Sequence, residues 1–283
     1  MNSEIKFLSL SPQLLGSSML LIFCFFFSHS LFAQGNLIIH PKPIVFDGKK
    51  KIEKLVLSNS GKDSAVYNIS FIEYRMNEDG ELLSVEKEEE NLRFATPYVR
   101  LYPRIVKLGP NESQILKVQM YNTEHIADGE YRSHLYFRAE QEKTALGTAT
   151  EAKEALVSVK LEAIFGISIA CIIRKGEEKT YLSISDISYS KSKDQENFLV
   201  FKLNRTGNMS AYGDFVVNYI APSNKVYEVG TVKGIGLYLP GTARTMKVTL
   251  NTPSNVDFKG GSFKVVFTEN ESKKILAEAD LNL

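Results

Sequence analysis

Residues 104–121 read RIVKLGPNESQILKVQMY, and the fold follows from how this stretch must be laid out. Leu116, Val118 and Met120 alternate with Lys117 and Gln119. That is the period of two expected of a strand with one buried face. Just before it, Gly109-Pro110-Asn111 is a turn with a mechanism: proline presets the backbone angle, and asparagine tolerates a left-handed conformation. Working outward, residues 54–59, 65–74, 131–138 and 157–173 carry the same β-branched, aromatic and alternating character. Asn59-Ser60-Gly61 and Asn77-Glu78-Asp79-Gly80 punctuate them as further turns. Residues 84–93, rich in glutamate, read as a solvated loop or a helical turn. Beyond the first 33 residues, no stretch shows sustained helical amphipathicity with caps.

A second series follows at 180–190, 198–204, 213–221, 226–232, 245–251, 262–268 and 275–283. About seven short strands with frequent turns suit a sandwich. Between the two series, Arg174-Lys175-Gly176-Glu177-Glu178-Lys179 replaces apolar sequence with charge and a glycine, as a short hinge does. The expected fold class is therefore all-β, with two tandem immunoglobulin-like β-sandwich domains joined by a short hinge. The expected divisions are 34–174 and 175–283.

Residues 1–33 read as a secretory signal peptide. Lys6 is followed by an apolar run at 19–27, and Ala33 offers a small residue before Gln34. Ser28, His29 and Ser30 cut that run short of the ~20 residues that cross a bilayer. The chain is thus expected to be exported to the periplasm, with no stable membrane insertion after cleavage. Its formal net charge of +1 gives no electrostatic case for nucleic acid. Outside the leader Cys171 has no cysteine to pair with, so packing must hold each sandwich, and a buried, unreactive thiol is expected.

Catalytic signals are sparse. His40, His125 and His134 show no metal-ligand spacing, and His134 alternates with apolar residues as a structural histidine would. There is no Gly-x-Ser-x-Gly elbow and no Cys–His nucleophile pair. Gly234-Ile235-Gly236 lacks the third glycine and the helix of a dinucleotide site and reads as a bend within strands. Glu86, Glu88, Glu89 and Glu90 read as a solvated charge run. Neither a cofactor, a metal nor an enzyme activity is expected. In Asp128-Gly129-Glu130-Tyr131, the tyrosine stands where a Greek-key sandwich caps its corner through the hydroxyl, so Tyr131 and Asp128 are read as structural.

The order of these features resembles the periplasmic pilus-assembly chaperones of the chaperone–usher pathway. Residues 39–46 with Asp47-Gly48 look like the family's opening strand, and 55–59 (LVLSN) like its next. Residues 104–118 resemble the central hairpin, 131–137 the penultimate strand, and 157–174 the last strand running into the hinge. Residues 203–210 with Ala211-Tyr212-Gly213-Asp214 are similar to a variant branch. The resemblance implies a chaperone that caps incomplete pilus or surface subunits by lending them a strand. Val157, Val159 and Leu161 alternate with polar residues as the lent strand requires, each worth roughly 1.5–3 kcal/mol if buried. Alternation alone also allows these side chains to face their own domain's core. Implied partners are pilin-like or other β-rich subunits, with an outer-membrane usher left open.

The family's two basic residues for a client's terminal carboxylate fall at Pro43, beside Lys42, and at Gly166 or Ala170, so neither position is cationic. Arg132 stands where the family has an acid, close to Arg174 at the hinge. Like charges there would not form the usual interdomain salt bridge. Lys42, Arg132 and Arg174 are the remaining candidates for a cleft or anchoring role, marking a divergent member. The alternative function is a non-catalytic structural or interaction protein of a secreted or cell-surface assembly. An enzyme is the weakest reading and would need a pocket of convergent titratable groups.

Overall fold

The structure, a computed structural model, describes residues 37–140, 166–193, 196–253, 256–270 and 272–283. The expected signal peptide lies outside the described residues. The first half runs β1 (Leu37–His40), β2 (Ile44–Phe46), β3 (Ile52–Asn59), β4 (Ala65–Ile72), β5 (Tyr74–Met76) and β6 (Leu82–Ser84). A turn of 3-10 helix at Thr96–Tyr98 leads into β7 (Val99–Tyr102), β8 (Ile105–Leu108), β9 (Ser113–Met120), β10 (Gly129–Glu140) and β11 (Gly166–Lys175).

These strands form two facing sheets, β1-β3-β9-β7 and β2-β11-β10-β4-β8. Lettered along the chain, that is A-B-E-D against C-F-G, the strand order of a constant-type immunoglobulin domain. Two short strands extend the second sheet: β2 runs parallel to β11, and β8 antiparallel to β4. Period-two alternation sends Leu55, Leu57, Leu116 and Val118 inward from one sheet, to pack with Tyr67, Ile69, Leu135 and Phe137 from the other. The 109–112 turn closes as its residues dictate. Glu112 N–H donates to the Gly109 carbonyl at 3.1 Å, the Gly109 amide donates to the Glu112 carboxylate at 2.6 Å, and Asn111 takes φ 57°.

The second half contributes β12 (Tyr181–Lys191), β13 (Asn197–Thr206), β14 (Ala211–Ile220), β15 (Val226–Leu237), β16 (Ala243–Thr249), β17 (Ser262–Glu269) and β18 (Ile275–Asn282). Its sheets are β12-β13-β16 and β15-β14-β17-β18, again A-B-E against a C-F-G sheet. The protein is all-β, with two immunoglobulin-like sandwiches, each around its own core. Aromatic rings hold the second core. Phe215 lies 5.0 Å from Phe201 and 4.5 Å from Phe267 between ring centres, within the range where edge and tilted contacts add to area burial. Gly234 to Gly236 lie inside β15. Among the described residues, no helix is long and apolar enough to cross a membrane.

One element departs from the expected layout. The strand expected at 65–74 ends at Ile72, and Tyr74 opens a separate hairpin, β5–β6. The break falls at Glu73, whose carboxylate turns to accept hydrogen bonds from the Thr96 and Ser133 hydroxyls. That demand overrides continuation of the ladder. Residues 85–93 after the hairpin form a largely exposed loop with one isolated bridge, Glu89 to Leu92.

Phe215 is fully buried between two other rings, and nothing small can refill its space. Phe215→Ala is expected to destabilise the second sandwich by about 3–5 kcal/mol, measured as a lowered urea midpoint with an unchanged slope.

Candidate functional site

The region that singles itself out lies where β10 and β11 meet the second domain. The two strands pair antiparallel, with Glu130 opposite Arg174, Arg132 opposite Ile172, His134 opposite Ala170 and Tyr136 opposite Ser168. Odd-numbered positions such as Tyr131, Leu135, Ile169, Cys171 and Ile173 enter the core. Even-numbered positions form the opposite face, which carries an unusual load: Glu130, Arg132 and His134 are all buried. The second domain covers that face at the hinge end.

Glu130 is the junction. Its Oε2 accepts from Arg174 Nε at 3.2 Å and from the Ser210 amide at 3.1 Å, while Oε1 accepts from the Ser210 hydroxyl at 2.5 Å. The Ser210 Oγ in turn accepts from the Leu239 amide at 3.0 Å, and Arg174 Nη2 reaches the Ser210 carbonyl at 3.1 Å. The Glu130 side chain is 1% exposed against 30% for Arg174, so these are charge-assisted bonds in a largely dry setting. The Glu130–Arg174 pair lies within the first domain, Arg174 stands close enough to Arg132 to join burial in lowering its pKa, and Ser210 carries the link to the second domain. The acid sits two residues earlier than expected, on the same face of the strand, and Arg174 pairs with it. Arg132 instead lays its guanidinium over the Tyr238 ring of the second domain, 3.5 Å from the ring centre, a cation–π contact. Burial lowers the Arg132 pKa from its ordinary value, and its Nε has no hydrogen-bond partner.

Next along the face, His134 stacks edge-on against Tyr74 at 4.9 Å. Burial, helped by the charge on Arg132, pushes its pKa down to about 3, so the imidazole is neutral near pH 7. Its Nδ1 is buried with no partner. On the core side, burial and then the nearby Glu73 carboxylate push the Cys171 thiol up to about 12; a thiol there is inert. Ser133 Oγ accepts from the Ala95 and Thr96 amides at 2.9 and 3.0 Å and donates to Glu73, so it tethers a loop. Burial raises the Glu73 pKa, and its Oε2 finds no partner.

Arg132, His134 and Arg174 line a cleft of about 990 Å³ between the two domains. Lys42 and Pro43 contribute to its wall from the first domain, and Tyr181, Tyr212 and Tyr238 from the second. Lys42 is exposed at this wall. Of the two alternatives for the second basic position, Ala170 lines the cleft, whereas Gly166 sits under the Tyr136 ring, where a Cβ would lie 2.3 Å from a ring carbon. Beside the cleft, β2 pairs with β11 only at Cys171, Ile172 and Ile173. Among the described strands, none pairs with the outer edge of residues 166–170. Val157, Val159 and Leu161 lie outside the described residues.

The remaining assigned residues serve the hinge. The Tyr131 hydroxyl donates to the Ala127 carbonyl at 3.1 Å, a bond back to the chain just upstream. The Asp128 carbonyl accepts from Arg93 at 2.9 Å, and its carboxylate packs on Gly176, where φ is 78° and an added Cβ would meet Asp128 at 2.5 Å. Sequence reasoning passed over Glu130, Tyr238 and Ser210. For Glu130 the signal was available: its parity matches Arg132 and His134 along one strand.

No known protein-family model matches the chain, and no curated protein sequence matches it. Several solved structures are similar to it. The YadV chaperone aligns at TM-score 0.46 and 14% identity over 87% of this chain and 99% of its own. The Pseudomonas aeruginosa CupB2 chaperone aligns at 0.43 and 14% over 87% and 100%. The class 5 fimbriae chaperone CfaA aligns at 0.42 and 15% over 87% and 98%.

Two outcomes follow from this geometry. Glu130→Ala strands Ser210 and Arg174, and is expected to lower stability by roughly 3 kcal/mol, measured by urea unfolding. His134 resists protonation in the folded chain until about pH 3, but takes it up near 6.5 when unfolded. Stability is therefore lost as pH falls through that window, with a slope of up to about 1.4 kcal/mol per pH unit. His134→Phe is expected to flatten that part of the stability–pH curve.

Proposed function

We propose that this protein is an exported, periplasmic chaperone that holds incomplete β-sandwich subunits of a pilus or other surface structure by lending them a strand. The observation that carries the reading is the outer edge of β11 at residues 166–170, with which none of the described strands pairs, running directly into a cleft that holds cationic side chains. An unpaired edge is normally blunted, because its free amides and carbonyls invite pairing with another chain. Here it stands beside a ready receptor site. A client strand laid on that edge gains backbone hydrogen bonds, and alternate side chains fill its groove. Val157, Val159 and Leu161, upstream on the same chain, are the residues proposed to fill it.

Arg132 and Lys42 are proposed to receive the client's terminal carboxylate. Arg174 is committed to Glu130 and Ser210, whereas Arg132 lines the cleft and Lys42 stands exposed at its wall. A guanidinium–carboxylate bond in such a setting is short and strong. The sequence resemblance to pilus-assembly chaperones supports the same reading. At the cleft, burial holds the imidazole of His134 neutral near pH 7.

The test is expression of the full chain and recovery of periplasmic complexes, with the bound protein identified by mass spectrometry. Wild type is expected to retain a small β-rich subunit. Val159→Arg is expected to release it with an unchanged melting temperature, and Arg132→Ala to weaken retention at least tenfold, roughly 1.4 kcal/mol. A melting temperature that drops as for a core deletion in Val159→Arg would overturn strand lending. It would leave a structural or interaction protein.

A further inference from the structure

The β5–β6 hairpin belongs to the first domain but ends on the second. Its tip is held from within: Asn77 Oδ1 accepts from the Asp79 and Glu81 amides at 3.1 and 2.8 Å, and Asn77 Nδ2 donates to the Glu81 carboxylate at 3.0 Å. This stiff tip reaches β16, the outermost strand of its sheet, where the Thr245 amide donates to the Glu78 carbonyl at 2.7 Å. Alongside, the Arg244 guanidinium lies flat against Gly80. A Cβ at Gly80 would sit 2.3 Å from its Nε and Nη2. Arg244 cannot simply swing away, because its Nη1 donates to the Gly236 carbonyl at 2.6 Å and its Nε is buried. On the return strand, Leu82 lines the interdomain cleft.

We propose that the β5–β6 hairpin is a clasp that sets the opening of the interdomain cleft, held by the bond from Thr245 to Glu78 and admitted by the absence of a side chain at Gly80, where Arg244 packs. Among the described residues, the two sandwiches are also joined at the hinge, at the Glu130–Arg174–Ser210 junction and at the Arg132–Tyr238 stack beside it. These attachments follow one another at the hinge end of β10 and β11. The hairpin adds an attachment from a different element, made on β16, which restricts rocking about the hinge. Interdomain contacts of modest size permit relative motion by default, so this contact decides whether the cleft is preformed. Glycine is required at position 80 for two reasons, φ of 86° and the approach of Arg244; the second is specific to the clasp. The inference holds whatever occupies the cleft.

Spin labels at Lys117→Cys and Ser190→Cys in the full chain report the distance between the domains by double electron–electron resonance. The parent protein is expected to give one narrow distribution. Gly80→Val is expected to lose it, giving a broad one. Gly48→Val is the control for backbone strain, since Gly48 has φ of 87° with nothing within 4 Å; it is expected to keep the narrow distribution. Adding Arg244→Ala to Gly80→Val makes room for the side chain and is expected to restore it. Thr245→Pro removes the amide that faces Glu78 while leaving the ladder to β13, and is expected to broaden the distribution by itself. A narrow distribution in both Gly80→Val and Thr245→Pro, or equal broadening in Gly48→Val, would overturn the clasp.

Discussion

A single buried carboxylate, Glu130, sits where two domains and two strands converge, and the geometry of the candidate site depends on it. A carboxylate 1% exposed is tolerable only if its oxygens are saturated by donors. Glu130 meets that condition by drawing donors from both sides of the hinge: Arg174 from the first domain, and the amide and hydroxyl of Ser210 from the second. The desolvation cost that makes an unpaired charge unfavourable therefore couples the sandwiches. Arg132, freed from pairing with Glu130, can stack on Tyr238 and face the cleft.

The β10–β11 ladder then does two jobs through one periodicity. Its odd face is a hydrophobic wall of the first core, with Cys171 and Ile173 fully packed. Its even face is a row of polar groups at the domain boundary. The strong pKa shifts of this region arise from burial first and from neighbouring charge second. Such shifts often mark catalytic sites. Here the groups concerned are a neutral imidazole, a thiol with a raised pKa and a guanidinium stacked on Tyr238.

Much of the fold was legible because it rests on local rules. The Gly109-Pro110-Asn111 turn closed with asparagine in the left-handed region, and the alternation in 114–121 placed Leu116, Val118 and Met120 inward. The β5–β6 hairpin was less visible. Its turn residues were evident, but its separation from β4 depends on Glu73 finding two hydroxyls distant in sequence. The site was legible only in outline. Arg132 and Arg174 stood out as neighbouring like charges near a hinge, and Arg174 does act on Arg132, but the acid that partners Arg174 lies two positions along the strand from Arg132. Counting parity rather than aligning positions identifies it.

The sequence by itself determined that the chain is all-β, where most strands begin and turn, and which side chains face inward, since period-two burial and turn chemistry are properties of neighbours along the chain. Only the tertiary structure decided which charges pair, which of the described strands lie beside β11 and how one hairpin reaches across to the other domain. Those outcomes depend on groups far apart in sequence. Their energies come from desolvation and close approach in three dimensions, which no local pattern encodes.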